Sequence, residues 1–110
     1  LPSKGYKVLR LPDGRTVASA GGQASVVTFD KAGAIVATVG GKEKHPTLGL
    51  DFCSGFDCLA NGNIVMANWL GHGKLGKGVH LAEFTPDNRV VWTWADHKAA
   101  KSITNVLVLE

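Results

Sequence analysis

Short apolar runs rich in Val, Leu, Ile, Thr and Ala alternate along this chain with glycine-bearing breaks. That pattern predicts half-buried β-strands joined by tight turns, because helices would need apolar positions every three or four residues over longer windows. The pattern also repeats. Leu11-Pro12-Asp13-Gly14 is answered 48 residues later by Leu59-Ala60-Asn61-Gly62, and Thr16-Val17-Ala18 by Ile64-Val65-Met66. Further along, Val26-Val27-Thr28-Phe29 with the following Asp30-Lys31-Ala32-Gly33 corresponds, at an offset of 55, to Leu81-Ala82-Glu83-Phe84 and Thr85-Pro86-Asp87-Asn88. The extra residues fall between second and third strands, in a glycine- and lysine-rich stretch over 69–78, where an insertion costs little packing.

Each unit therefore reads as four consecutive strands joined by hairpins, over 6–11, 15–20, 25–29 and 34–39, then over 55–59, 63–69, 79–84 and 89–94. Residues 105–109 repeat the apolar run that precedes the first turn, as the opening strand of a third unit. Antiparallel four-stranded units with a period of about 40 to 50 residues are the blades of a propeller. The expected fold is all-β, a β-propeller fragment of four-stranded antiparallel blades. Residues 1–40 form the first blade, 41–54 an interblade crossing, 55–95 the second blade, and 96–110 a crossing and the first strand of a third. A small closed barrel is the alternative, although a barrel need not contain a near-half repeat with equivalent strands in equivalent places.

The balance of 45% hydrophobic and 19% charged residues suits a folded globular chain, and 14 glycines in 110 residues supply many sharp turns. A formal charge of +3 favours anionic partners mildly. No nucleic-acid-binding motif accompanies it, no apolar run of about 18 residues predicts a membrane span, and no charged-then-apolar leader is visible. Cys53 and Cys58 have the spacing of neither a redox pair nor a zinc site; they read as buried thiols or, in an oxidising compartment, as a local disulfide.

The phrases LPDGRTVAS, LANGNIVMANW and TPDNRVVWTW resemble the repeats of the pyrroloquinoline-quinone-like propeller superfamily over almost the whole chain. The resemblance implies the fold and leaves function open, because related blades serve dehydrogenases, sulfotransferases, assembly scaffolds and extracellular binding proteins. It carries over no cofactor residue, since such sites draw on many blades. It assigns Trp92 and Trp94 to packing between blades, and it favours an extracellular or periplasmic location.

In an up-and-down blade the first-to-second and third-to-fourth turns share one end, and the remaining connections share the other. The first set is minimal, at Pro12-Asp13-Gly14, Lys31-Ala32-Gly33, Ala60-Asn61-Gly62 and Pro86-Asp87-Asn88. The second set is long and basic, gathering Lys42, Lys44, His45, His72, Lys74, Lys77, His97, Lys98 and Lys101 against Glu43, Asp51 and Asp96. Long loops on a rigid frame are where propellers carry function. The candidate ligand-binding residues are accordingly Asp57, Asn68, Trp69, His72, Lys74, Lys77, His97 and Lys98, with Trp69 as a flat apolar platform. Asp57 equally suits a structural role on neighbouring backbone amides.

His72 and His80 can approach across one hairpin with His45 or His97 nearby, but none has metal-motif spacing, so no metal, cofactor or catalytic residue is expected. Nor is there a nucleophile elbow or phosphate loop. These features point to a noncatalytic binding or assembly module with a basic long-loop face. Its expected partners are copies of itself or further blades, with an anionic or glycan ligand. The alternative is a fragment of a propeller enzyme whose catalytic residues lie in other blades.

Overall fold

Alternating apolar residues close into eight strands in the computed structural model, which describes residues 5–70, 77–98 and 106–109. They are β1 Gly5–Arg10, β2 Thr16–Ala20, β3 Ser25–Phe29, β4 Ile35–Gly40, β5 Phe52–Cys58, β6 Ile64–Trp69, β7 Leu81–Phe84 and β8 Val90–Trp94. The first four form one antiparallel sheet and the last four another, each in simple sequential order. Residues 106–109, expected within the opening strand of a third blade, form no strand, and β5 starts at Phe52 rather than 55. A bulge between Cys53 and Gly55 breaks the alternation there and hides the strand's start.

Side chains alternate between faces, so the register fixes what each sheet buries. The row Leu9, Val17, Thr28 and Ala37 lies on one face of the first sheet, together with Ser19, Val26 and Val39. The opposing face of the second sheet carries Phe56, Met66 and Ala82, with Ile64 and Phe84 in the next row. Val17, Val26, Val39, Leu50, Phe56, Met66 and Phe84 make the core between the sheets. Each fully buried large apolar side chain contributes about 1.5–3 kcal/mol.

The innermost strands β1 and β5 are joined by a side chain. A bulge in β1 turns the Lys7 backbone N–H to the Ser19 hydroxyl at 2.8 Å. Lys7 Nζ donates to the Phe56 carbonyl at 2.7 Å and stands 5.3 Å from the centre of its ring.

The outer faces are apolar and uncovered. On the first sheet Val8, Ile35 and Val36 are exposed, and on the second Trp92 and Trp94. The register Asp57, Val65, Glu83 and Trp92 puts Trp92 on the face turned away from the first sheet. Trp92 and Trp94, 45% and 37% exposed, therefore lie outside the interface of these two blades, on the face that a further blade would meet. That interface has Ala37 and Val39 in the corresponding places.

Candidate functional site

The two ends of the sheets are built differently. At one end all four hairpins use the same loop: Gly14, Gly33 and Gly62 take positive φ, as does Asn88 at 66°, and each donates its N–H three residues back to Leu11, Asp30, Leu59 or Thr85. This is the type I turn closed by a left-handed residue. Side chains seal three of these turns and the last: Asp13 Oδ1 accepts from Arg15 N–H, Asn61 Oδ1 from Asn63 N–H, Asp30 Oδ1 from Ala32 and Ala34 N–H, and Thr85 Oγ1 from Arg89 N–H. The Arg15 backbone N–H beside Asp13 holds its carboxyl below the usual range, and the Thr85 hydroxyl does the same for Asp87.

At the other end the long connections are rooted on Asn68, which is fully buried in β6. Its Oδ1 accepts from Asp51 N–H at 2.8 Å and Phe52 N–H at 3.3 Å, while Nδ2 donates to the carbonyls of Gly49 at 3.2 Å and Val79 at 2.9 Å. The crossing over 41–51 is thereby fastened to the return segment before β7. Gly49 and Gly78 touch backbone to backbone, so that a Cβ on Gly49 would lie 2.6 Å from Gly78 Cα.

A cleft of about 410 Å³ opens between the Gly21–Gln23 turn and the crossing, both at this end of the first blade, and Asn88 of the second blade's short β7–β8 turn. Gln23, Ser25, Thr38 and Lys44 bring amide, hydroxyl and ammonium groups to it. Glu43 also lines it, and Lys42 lies 3.8 Å from Asp51, so its wall mixes both signs of charge. Asn88 closes one side: its Oδ1 accepts from Gly40 N–H at 2.7 Å and from His45 Nε2 at 2.9 Å. Gln23, Ser25 and Thr38 escape a reading of the sequence because they flank a short connection, and only the twist of the outer strands brings Asn88 to them.

The residues expected to bind ligand are dispersed. Asn68 spends its whole amide on the four backbone groups above, leaving none for a ligand. Asp57 binds backbone amides, the alternative left open by the sequence: Oδ1 accepts from Cys58 N–H at 2.9 Å, and Oδ2 from Val108 N–H at 2.8 Å. Trp69 is half-buried and packs edge-on against Phe52, with ring centres 5.8 Å apart. Lys77 and Lys98 are exposed at the long-loop end. His72 and Lys74 lie outside the described residues, as does Lys101.

His97 meets His80, with ring centres 4.4 Å apart. His97 Nε2 donates to the Gly78 carbonyl at 2.9 Å, and His80 Nδ1 accepts from Asp96 N–H at 3.1 Å. Accepting at Nδ1 puts the proton of neutral His80 on Nε2, so this buried ring has no lone pair to give a metal. Among the described residues, no three His, Cys, Asp or Glu side chains gather as ligands.

Cys53 and Cys58 are both free thiols on β5. Five residues of extended strand separate them by about 16 Å, beyond the Cα distance of about 7 Å that a disulfide tolerates, so the local disulfide is ruled out. Burial pushes the Cys53 thiol up to about 12. Burial and then the Asp57 carboxylate also raise Cys58, which faces a second cleft at the short-turn end.

Two sequential four-stranded sheets, stacked face to face with alternate long and short connections, define a fragment of a β-propeller. The chain is similar to a protein of unknown function from Bacteroides caccae, known from a crystal structure at 1.35 Å resolution, with a TM-score of 0.73 and 22% identity. The match covers 96% of this chain and 39% of that one. No protein-family model matches the chain, and comparison with curated proteins found no match.

Proposed function

We propose that the chain is a noncatalytic binding and assembly module of a β-propeller, and that it meets an anionic or polyhydroxylated ligand, such as an acidic glycan, at its long-loop end. The observation that supports this reading is the contrast between the ends. In the short turns Asp13, Asp30, Asn61 and Thr85 are spent on the backbone of their own turns, whereas the long connections carry a polar cleft with Lys44 at its wall and, elsewhere at that end, exposed Lys77 and Lys98. Assembly is supported by the uncovered outer faces, which continue the apolar surface of a blade stack. The resemblance to quinoprotein-type repeats belongs to the same proposal and rests on the repeat phrases.

The test is titration with a heparin oligosaccharide at low and high salt. Binding is expected to weaken as salt screens the lysines. The Lys44→Gln/Lys77→Gln variant is expected to bind roughly tenfold more weakly, each exposed charge contributing up to about 1 kcal/mol. Equal affinity of variant and parent at low salt would remove the ligand from this face.

A further inference from the structure

The internal repeat allows one blade face to be laid over its counterpart on the next. The first blade turns the row Leu9, Val17, Thr28 and Ala37 toward the second, with Val26 and Val39 beside it. The corresponding outward row of the second blade is Asp57, Val65, Glu83 and Trp92, with Leu81 and Trp94 beside it. Where one face carries two indoles, its counterpart carries Ala37 and Val39.

The volume given up at Ala37 is not refilled. Between the blades, at the short-turn end, lies a cleft of about 420 Å³. Val17, Thr28, Ala37 and Val39 form its floor, and blade 2 supplies the facing wall from Cys58, Ile64 and Pro86. The blades cannot close over it, because their separation is set elsewhere. Phe56, Met66 and Phe84 are fully buried between them, Lys7 is tied to the Phe56 carbonyl, and Asn88 to Gly40. Interiors pack to nearly crystalline density, so an apolar slot held open by rigid walls has the character of a binding pocket.

Its walls state what would fit. They are aliphatic, with one buried hydroxyl, Thr28, in the floor. The rim charges Asp13 and Arg15 are paired at 2.8 Å and recruit no ion. We propose that this interblade cleft binds a small, uncharged, flat aromatic molecule of about indole size, in the space that the repeat fills with Trp92 on the counterpart face. This site is independent of the long-loop reading.

The probe is 5-fluoroindole, titrated into the 110-residue chain and followed by ¹⁹F and ¹⁵N-correlated NMR. A dissociation constant on the order of 1 mM or below is expected for a fragment of this size. The amide shifts should centre on Ala37, Val39, Cys58 and Leu59. Ala37→Trp fills the cleft and should abolish those shifts, whereas Lys44→Gln should leave them intact. Independently of any variant, saturating 5-fluoroindole should slow alkylation of Cys58 at least about fivefold without changing Cys53, since bound ligand excludes reagent from a half-buried thiol. Shifts centred on Trp92 and Trp94, full binding by a folded Ala37→Trp variant, or unprotected Cys58 at saturation would each overturn the proposal.

Discussion

Two thiols on one strand meet different surroundings. Cys53 is enclosed by the core, where its Sγ donates to the Gly55 carbonyl at 3.6 Å. Cys58 lies half-buried at the cleft. In the folded chain iodoacetamide is therefore expected to modify Cys58 first and Cys53 only on unfolding, which mass spectrometry of timed samples resolves. The raised Cys53 value carries a sign: the unfolded thiol ionises near 9.0, while the folded one keeps its proton until about 12. The stability tied to that burial is complete below pH 9 and is lost progressively as pH climbs toward 12. Polar residues were the hardest to read from sequence for a related reason. Asn68 and Asp57 have the composition of ligand contacts, yet their partners are backbone groups of Gly49, Val79 and Val108, supplied by distant segments that no local pattern announces.

Strands and short turns, by contrast, were legible. Alternation and the Asp-Gly and Asn-Gly pairs are local signals, and they mark seven strands closely; β5 begins early because its bulge interrupts the period, and the apolar run expected as a ninth strand forms none over 106–109, where Val108 N–H bonds Asp57 Oδ2 instead. Less legible was the use of Asn88 where the equivalent turn of the first blade has Gly33. Asparagine tolerates the left-handed conformation and spends its side chain on Gly40 at the end of β4 and His45 of the crossing. Asn88→Gly should preserve the turn but release that tie, costing about 1–2 kcal/mol by leaving Gly40 N–H without its acceptor. Asn88→Ala should cost about 1 kcal/mol more through backbone strain. Thermal denaturation of the two variants separates turn conformation from interblade attachment, and equal melting temperatures for Asn88→Gly and the parent would assign no stability to the tie.

Across the molecule, each blade is covered on one face only. Val8 is 60% exposed on one outer face and Trp92 45% on the other, so these surfaces favour association over a lone two-blade particle. Sedimentation velocity of the 110-residue chain is expected to show concentration-dependent assembly. Val8→Asp and Trp92→Asp, each blocking one face, should reduce it, while a mixture of the two variants should recover a paired species through the two intact faces. A compact monomer at every concentration would contradict the role given to these faces. What the repeat could not convey is the relation between blades. The clefts, the Asn88 attachment and the uncovered tryptophans arise from stacking and twist, which join residues far apart in the chain.

Gly49 and Gly78 set a condition on how such chains diverge. Both have positive φ, at 67° and 79°, and a side chain on either would run into the backbone of the other. Neither position can accept a substitution first, because the contact is between main chains and a compensating change at the partner gives no relief. A side chain at either position is therefore expected to push the crossing over 41–51 away from the return segment before β7 and to pull apart the Asn68 hydrogen bonds to Gly49 and Val79 that join them.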